Sequence, residues 1–284
     1  MNLIQTLSEL RAQPGAVRTR GLSDELLLSL APAFPDLVEA VHAARAQFDA
    51  VRVEFPEILA MDEDAQCATI QAGFVNFYAG DAVNPYVALA ARGPWVITLK
   101  GAVLHDSGGY GMLGFGHTPA AVLEAMARPQ AMANIMTPSL SQLRLVRALQ
   151  AEIGHRRGGC PYERFMCLNS GSESVTLACR IVDINARLQT EPGARHAGKT
   201  IKHVAVKGAF HGRTEGPARY SDSTRKAYLA HLASYRGDES LLTVDPYNVE
   251  QLRELFAKAD REGWFIEAMF LEPVMGEGDP GRGV

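Results

Sequence analysis

The first ninety residues place apolar side chains at helical spacing. Three stretches show this period, residues 23–30, 36–50 and 62–78, and prolines separate them. No combination of residues suited to catalysis concentrates in this part of the chain. The pattern therefore predicts a helical N-terminal region, residues 1–92, that packs on the main body of the protein.

From residue 93 the pattern changes to short strands and then to alternating elements. A β-hairpin is predicted at 95–99 and 102–105, with Lys100 and Gly101 at its turn. A helix through Arg128 follows, for which Thr118 supplies the cap and Pro119 the first position. These features open the predicted main domain, residues 93–284.

Helices and strands alternate in the second half of the chain. The predicted elements are, in order, helix 139–153, strand 164–168, helix 171–188, strand 201–206, strand 241–244, helix 249–260 and strand 265–271. Such alternation is typical of a mainly parallel sheet covered on both faces, whose ligands bind at the carboxyl ends of the strands. The 171–188 helix is expected to bury one face, formed by Val175, Ala178, Ile181, Val182 and Leu188.

The composition is that of an ordinary globular protein. The 284 residues include 28 Lys+Arg and 32 Asp+Glu, a formal net charge of -4, and 47% are hydrophobic. This balance argues against disorder and gives no electrostatic reason for a nucleic-acid or membrane partner. No apolar run approaches the roughly 18 residues of a membrane span, and no signal layout begins the chain. Because the four cysteines form no CxxC pair, we expect a cytoplasmic protein.

The first segment with candidate chemistry is Asn-Ser-Gly-Ser-Glu at 169–173, which follows a predicted strand and opens a predicted helix. The unpaired N–H groups and partial positive charge of a helix start favour phosphate. Gly171 allows close backbone approach, and Ser170 and Ser172 add hydroxyl donors. The same residues also satisfy a plain capping box, Ser170-x-x-Glu173, so that alternative stays open here.

Two further segments follow later strands. Phe-His-Gly-Arg-Thr at 210–214 carries an aromatic ring that can stack on a planar ligand, and His211 can hydrogen-bond or titrate near neutral pH. After the 265–271 strand, Pro273 holds Glu272 out of helical geometry, so its carboxylate stays at the strand end. Taken singly, each is also explained by a structural Phe and His or by an exposed Glu before a turn. All three segments are predicted to converge on one sheet edge.

As a set, these segments resemble the class III aminotransferases, which are pyridoxal-phosphate enzymes of fold type I. The third motif reads Glu-Pro-Val-Met-Gly-Glu-Gly at 272–278. The stretch from Asp106 to Pro119 resembles the family's Asp-x-x-Gly…Gly-His-x-Pro pattern, and Pro246-Tyr247-Asn248 resembles another family segment. The likeness covers about residues 85–284. At 276–281 the chain departs from the family's Gly-Glu-Gly-Gly, a change that could alter substrate choice.

The resemblance implies an α/β fold, namely the fold-type-I large domain with a mainly parallel central sheet. It also implies pyridoxal 5'-phosphate as cofactor, transamination between an amine or amino acid and a 2-oxo acid, and a homodimer. By position, the implied cofactor-binding residues are Ser170, Gly171, Ser172, Phe210, His211 and Glu272. The first three would hold the phosphate, Phe210 would stack on the pyridine ring, and Glu272 would act as the catalytic carboxylate near the phenolic oxygen. Glu277 would lie nearer the substrate.

The family's Schiff-base lysine and the acid opposite the pyridine nitrogen lie downstream of the Glu-Pro motif. The lysines of this chain match no such position: Lys100, Lys199, Lys202, Lys207, Lys226 and Lys258. We therefore expect an incomplete large domain of a longer enzyme, without the family's C-terminal small domain. Two alternatives stay open. One is another fold-type-I reaction (racemisation, decarboxylation or aminomutase chemistry), and the other is a catalytically inactive, lysine-free ligand-binding relative.

Other enzyme classes have weaker sequence support. Residues 109–114 spell the GxGxxG of a nicotinamide-binding fold, but residues 115–119 intervene before the next helix. No acidic residue stands at a clear strand end about 20 residues further on. The histidines and cysteines show no metal-ligand spacing, and no Gly-x-Ser-x-Gly elbow is present for a serine hydrolase.

Overall fold

The computed structural model of the chain describes residues 2–75, 83–107, 114–131, 135–277 and 280–283. The chain divides into two compact units, Met1–Thr137 and Pro138–Val284. The three segments with candidate chemistry all lie in the second unit. The GxGxxG glycines at 109 and 111 lie outside the described residues.

Helices dominate the first unit. They are α1 (Leu3–Arg11), α2 (Asp24–Leu30), α3 (Pro35–Glu54), α4 (Pro56–Leu59), α5 (Glu63–Gln71) and, near the end of the unit, α6 (Ala120–Ala127). Ser23 starts α2 because its hydroxyl accepts a hydrogen bond from the Leu26 N–H at 3.3 Å. Pro35 begins α3, where its missing N–H costs nothing. The predicted helical periods at 23–30 and 36–50 are confirmed.

A small antiparallel sheet completes the first unit. Its strands are β1 (Ala88–Arg92), β2 (Trp95–Thr98) and β3 (Val103–His105), in the order β1-β2-β3. The predicted hairpin turn is confirmed, since the Gly101 N–H donates to the Thr98 carbonyl at 2.9 Å. Gly101 has φ +75°, and a Cβ there would fall 2.8 Å from the Arg11 side chain. Only glycine suits this turn.

The core of the first unit joins its helices to this sheet. Its buried apolar side chains are Leu3, Leu7, Leu10, Leu27, Leu37, Ala40, Val41, Ala44, Phe48, Ile58, Leu59, Trp95, Ile97, Leu99 and Val103. Burial of each large member stabilises the fold by about 1.5–3 kcal/mol before entropy is counted. The unit therefore carries a continuous hydrophobic core of its own.

Thr118 does not cap α6. The cap position is Pro119, and Thr118 has φ +51° with its hydroxyl donating to the Ala91 carbonyl of β1 at 2.7 Å. The predicted cap at Thr118 is therefore wrong, because a long-range hydrogen bond takes the hydroxyl that would have capped the helix. The helix itself forms where it was expected.

The second unit alternates helices and strands. Its helices are α7 (Leu140–Gly154), α8 (Gly171–Thr190), α9 (Glu215–Ala218), α10 (Asp222–His231), a 3-10 turn (Ala233–Tyr235) and α11 (Val249–Glu262). Its strands are β4 (Thr200–Val206), β5 (Leu241–Val244) and β6 (Trp264–Phe270). Ser139 and Gln142 form a capping box at α7, and Gly263, with φ +67°, ends α11.

The sheet of the second unit is parallel, with strand order β5-β4-β6. In its register Val206 is opposite Val244, and Ala205 is opposite Phe270. The carboxyl ends of all three strands therefore meet at one edge, as the alternating pattern predicts. The buried apolar cluster here is small: Ala205, Val206, Ala209, Val244 and Met275.

Two expectations for this unit are wrong. Residues 164–168 form no strand, because the segment has no ladder partner within the described residues and leaves Met166 68% exposed. The predicted buried face of α8 is largely open as well. Val175, Ala178 and Val182 are half-buried, while Ile181 and Leu188 are exposed. Apolar spacing marks a face suited to burial, but it does not supply the covering element.

Candidate active site

The first segment begins α8 with a capping box. The Ser170 hydroxyl accepts a hydrogen bond from the Glu173 N–H at 3.2 Å, and the Glu173 carboxylate accepts from the Ser170 N–H at 3.1 Å. The capping alternative is thus confirmed, and it leaves phosphate binding possible. Gly171 is exposed, and a Cβ built on it would meet no described atom within 4 Å. The helix start is therefore open to an approaching anion.

Ser172 joins the first segment to the second. Its hydroxyl accepts from the Arg213 N–H at 3.4 Å, and its carbonyl accepts from the Thr214 hydroxyl at 3.3 Å. Gly212, the residue before Arg213, has φ +126°. A Cβ at this position would fall 2.5 Å from the Ser172 hydroxyl oxygen. The close approach of the two segments therefore requires glycine at position 212.

Glu272 joins the second segment to the third. One carboxylate oxygen accepts from the Phe210 N–H at 2.8 Å, and the other accepts from the Gly276 N–H at 3.0 Å. These bonds fix the carboxylate at the sheet edge and set the backbone that carries the Phe210 ring. The buried Met275 side chain anchors the same third segment against the end of the sheet.

His211, the next residue after Phe210, is partly buried. Its ring contacts the Phe270 ring in a T-shaped arrangement with centroids 5.8 Å apart. Its backbone N–H donates to the Ser221 hydroxyl at 2.9 Å. Burial lowers the pKa of His211, and the charge of Glu272 opposes that shift only in part. The ring is therefore neutral at pH 7. Its Nε2 is buried and, within the described part of the chain, has no hydrogen-bond partner.

Arg213 connects the two predicted ligand-facing residues. Its guanidinium lies 2.7 Å from Glu277 and 5.3 Å from the centroid of the Phe210 ring. Because both charged side chains are more than a third exposed, the ion pair contributes little to stability. Its effect is to orient groups at the mouth of the site. Sequence pattern alone does not reveal this role of Arg213, although the residue belongs to the motif at 210–214.

The structure thus brings together Ser172, Phe210, His211, Glu272 and Glu277, with Ser170 and Gly171 at the start of the same helix as Ser172. Lys207, at the end of β4, is exposed and faces Asp245 at 3.7 Å. In the first unit, His117 contacts Asp106 at 2.9 Å. Asn248, of the other family-like segment, caps α11 by accepting from the Gln251 N–H.

This arrangement can serve a flat, phosphorylated ligand. The helix start presents backbone N–H groups for an anion, Phe210 offers an aromatic face, and Glu272 offers an oriented carboxylate. The buried Nε2 of His211, which has no hydrogen-bond partner among the described residues, provides one more polar group. Among the described residues, no group of three or more His, Cys, Asp or Glu is placed to hold a metal ion.

Comparison with known proteins identifies the family of the chain. Residues 77–280 match the family model for aminotransferase class-III. That match covers more than half of the chain. The chain therefore belongs to the class III aminotransferases.

Solved structures show the same fold. The chain is similar to the ornithine aminotransferase from Toxoplasma gondii ME49, at 18% identity and a TM-score of 0.58, covering 80% of this chain and 50% of that one. A second structure of the Toxoplasma gondii enzyme, with partial occupancy of PLP at its active site, gives 20% identity and 0.56, covering 77% and 47%. An omega-aminotransferase from Paracoccus denitrificans gives 21% and 0.53, covering 77% and 51%.

At these identities the likeness establishes the fold alone. The chain spans about half the length of the solved structures that it matches. Its second unit is an α/β structure built on a parallel sheet, as in those aminotransferases. Among the described residues, no helix combines the length and apolar character needed to cross a bilayer.

Proposed function

We propose that the protein is a pyridoxal-phosphate-dependent aminotransferase that moves an amino group between an amine or amino acid and a 2-oxo acid. The observation that carries this proposal is the position of Glu272. Its two oxygens hold the Phe210 and Gly276 N–H groups, so a carboxylate, an aromatic wall and the third segment are fixed as one unit. Family membership supports the same cofactor and reaction.

Different residues of the site would bind different parts of the cofactor. Ser170, Gly171 and Ser172 would bind the phosphate at the start of α8, where the helix dipole favours an anion. Phe210 would stack on the ring. Glu272 would lie beside its phenolic oxygen and tune it electrostatically, which is the catalytic role we assign to this carboxylate.

When bound, pyridoxal phosphate supplies the electron sink that makes a bond at the substrate Cα labile. The chain's own residues orient that chemistry. His211, neutral at pH 7 because burial lowers its pKa, presents a ring nitrogen that can accept or donate one hydrogen bond. Glu277, paired with Arg213, would face the substrate and help to select it.

We extend the proposal to a cytoplasmic homodimer. All four cysteines are free thiols, which is typical of a reducing compartment. The exposed apolar side chains of α8, Ile181, Ile184 and Leu188, support a further protein surface against this helix. Sedimentation of the purified protein tests this part, and a monomer at micromolar concentration would reject the dimer.

The decisive experiment uses the complete natural protein. With pyridoxal phosphate bound, addition of ω-amino acids, diamines or α-amino acids should change the cofactor absorbance, and pyruvate should reverse the change. Racemisation or loss of CO2 without 2-oxo acid dependence would instead identify another fold-type-I reaction. Cofactor binding without any borohydride-fixed mass increase would identify a lysine-free ligand-binding relative.

Glu272 offers a second test of the proposal. Glu272→Ala removes both backbone contacts, whereas Glu272→Gln keeps an oxygen acceptor for one of them. We expect the alanine variant to bind pyridoxal phosphate at least about tenfold more weakly, with a smaller loss for glutamine. Glu254→Ala, an exposed position on α11, is the matched control. Equal affinity of all three variants would remove Glu272 from the site.

A further inference from the structure

Side chains at the start of α10 accept hydrogen bonds from the backbone of the segment that contains Phe210 and His211. The Gly208 N–H donates to the Asp222 carboxylate at 2.7 Å, and the His211 N–H donates to the Ser221 hydroxyl at 2.9 Å. Between these two bonds, the Phe210 N–H is held by Glu272. Side chains thus hold three of the four N–H groups of residues 208–211.

Ser221 is the more deeply placed of the two side chains, with no residue surface exposed. While it accepts from His211, its single hydroxyl proton faces the carbonyls of Pro217 at 3.0 Å and Gly212 at 3.2 Å. One buried oxygen therefore bonds the N–H that begins and the carbonyl that ends the His211-Gly212 dipeptide. Removal of this oxygen would leave the His211 N–H without its acceptor in a place that water does not reach readily.

We propose that Ser221 and Asp222 are positioning residues that set the direction of the Phe210 and His211 side chains. This inference rests on the proposed function, because the positioned groups are those assigned to the cofactor. Neither Ser221 nor Asp222 needs to touch the cofactor. They act through the backbone of residues 208–212, which they hold at two points on either side of Phe210.

The two side chains make separable contributions. Ser221 holds the end of the segment that leads into Gly212, while Asp222 holds the end that leaves β4. Loss of Ser221 should release the His211 amide, and loss of Asp222 should release the Gly208 amide. The Phe210 amide, which Glu272 holds, should change less in both cases.

The test compares Ser221→Ala and Asp222→Ala in the complete natural protein by site-resolved hydrogen exchange and by affinity for pyridoxal phosphate. We expect exchange of the His211 amide in the first variant, and of the Gly208 amide in the second, to be at least about tenfold faster. Cofactor affinity should fall by about tenfold in each. The pKa of His211, followed by NMR, should rise toward its ordinary value in Ser221→Ala as the ring becomes solvated.

Ser223→Ala is the matched control. Ser223 uses its backbone N–H to bond the Ala209 carbonyl at 3.1 Å, and alanine retains that bond. Ser221→Thr keeps the hydroxyl and should restore most of the lost affinity. If Ser221→Ala fails to fold, hydrogen exchange and cofactor affinity are compared between wild type, Asp222→Ala and Ser221→Thr instead.

Unchanged exchange at His211 and Gly208, together with unchanged affinity, would overturn the inference. Faster exchange with full affinity would also overturn it, because the two residues would then be structural only. Failure of the wild-type protein to bind pyridoxal phosphate would reject the proposed function instead. The exchange measurement is made without the cofactor and therefore separates the two failures.

Discussion

Each of the two units of this protein is stabilised internally by a different kind of interaction. In the first unit, fifteen described apolar residues form one buried cluster that joins helices to a sheet. In the second unit, the described cluster has five members, and the segments at the sheet edge are joined by hydrogen bonds from side chains to backbone. A hydrophobic core tolerates small changes in shape, whereas directional bonds fix the positions of individual groups. The candidate site lies where the directional bonds are.

The largest effect is expected in the core of the first unit. Leu37 is fully buried, so Leu37→Ala should lower the free energy of unfolding by about 3 kcal/mol through lost burial and a residual cavity. Urea denaturation measures this change. Leu28→Ala, at an exposed position of α2, is the control and should stay within about 0.5 kcal/mol of wild type. Equal values for the two variants would contradict the division into core and surface.

The next effect concerns the contact between the first two site segments. Gly212→Ala should cost about 1–3 kcal/mol, because alanine is strained at φ +126° and its methyl group would meet Ser172. Gly237→Ala, at φ +72° with open space around it, isolates the strain alone. Adding Ser172→Ala should recover part of the loss. An effect at position 212 no larger than at 237 would show that the segments are not in close contact.

A smaller effect should appear in the pH dependence of stability. Because burial lowers the pKa of His211, the unfolded state binds more protons than the folded state as pH falls below about 6.5. The folded state should therefore lose stability over that range, with the contribution fully present above pH 6.5. His211→Gln should flatten this part of the curve in denaturant titrations. His155→Gln, at an exposed site, is the control and should leave the pH dependence of stability as in wild type.

The smallest effect is expected on α8. Leu188 is 62% exposed, so Leu188→Ala in the isolated chain should change the free energy of unfolding by less than about 0.5 kcal/mol. The same substitution in an assembled oligomer measures whether this face becomes covered. A loss above about 2 kcal/mol in the isolated chain would mean that Leu188 is buried there, and so that the second unit has a larger hydrophobic core than the contrast with the first unit requires.

The repeating elements of the fold could be predicted from the sequence, because each has a local signal. The predicted helix 139–153 corresponds to α7, Leu140–Gly154, and the predicted strand 201–206 corresponds to β4, Thr200–Val206. The segment 164–168 has the apolar pattern of a strand, but pairing depends on a neighbour that local pattern does not specify. The domain boundary at residue 92 and the roles of the site residues stay predictions.

The bonds that build the site could not be predicted from periodicity. Convergence of the second and third segments followed from parallel topology, since they follow β4 and β6 of one sheet. The first segment follows no strand within the described residues, and it meets the second through the hydrogen bonds of Ser172. The roles of Ser221 and Asp222 did not follow from topology, because they bond backbone groups 10 and 14 residues away in a loop without a repeating pattern. The pairing of Arg213 with Glu277 joins residues 64 apart, and only the folded geometry reveals it.

The hydrogen bond from the Phe210 N–H to Glu272 also bears on the order of folding. It spans 62 residues, and β5 and α11 lie between its ends. A chain emerging from the ribosome cannot close this bond until β6 has been synthesised and paired with β4. Contacts of such sequence separation form late, after the local helices. The candidate site would therefore be among the last features to form, and a nascent chain shorter than about 276 residues would display the start of α8 without the two backbone contacts of Glu272.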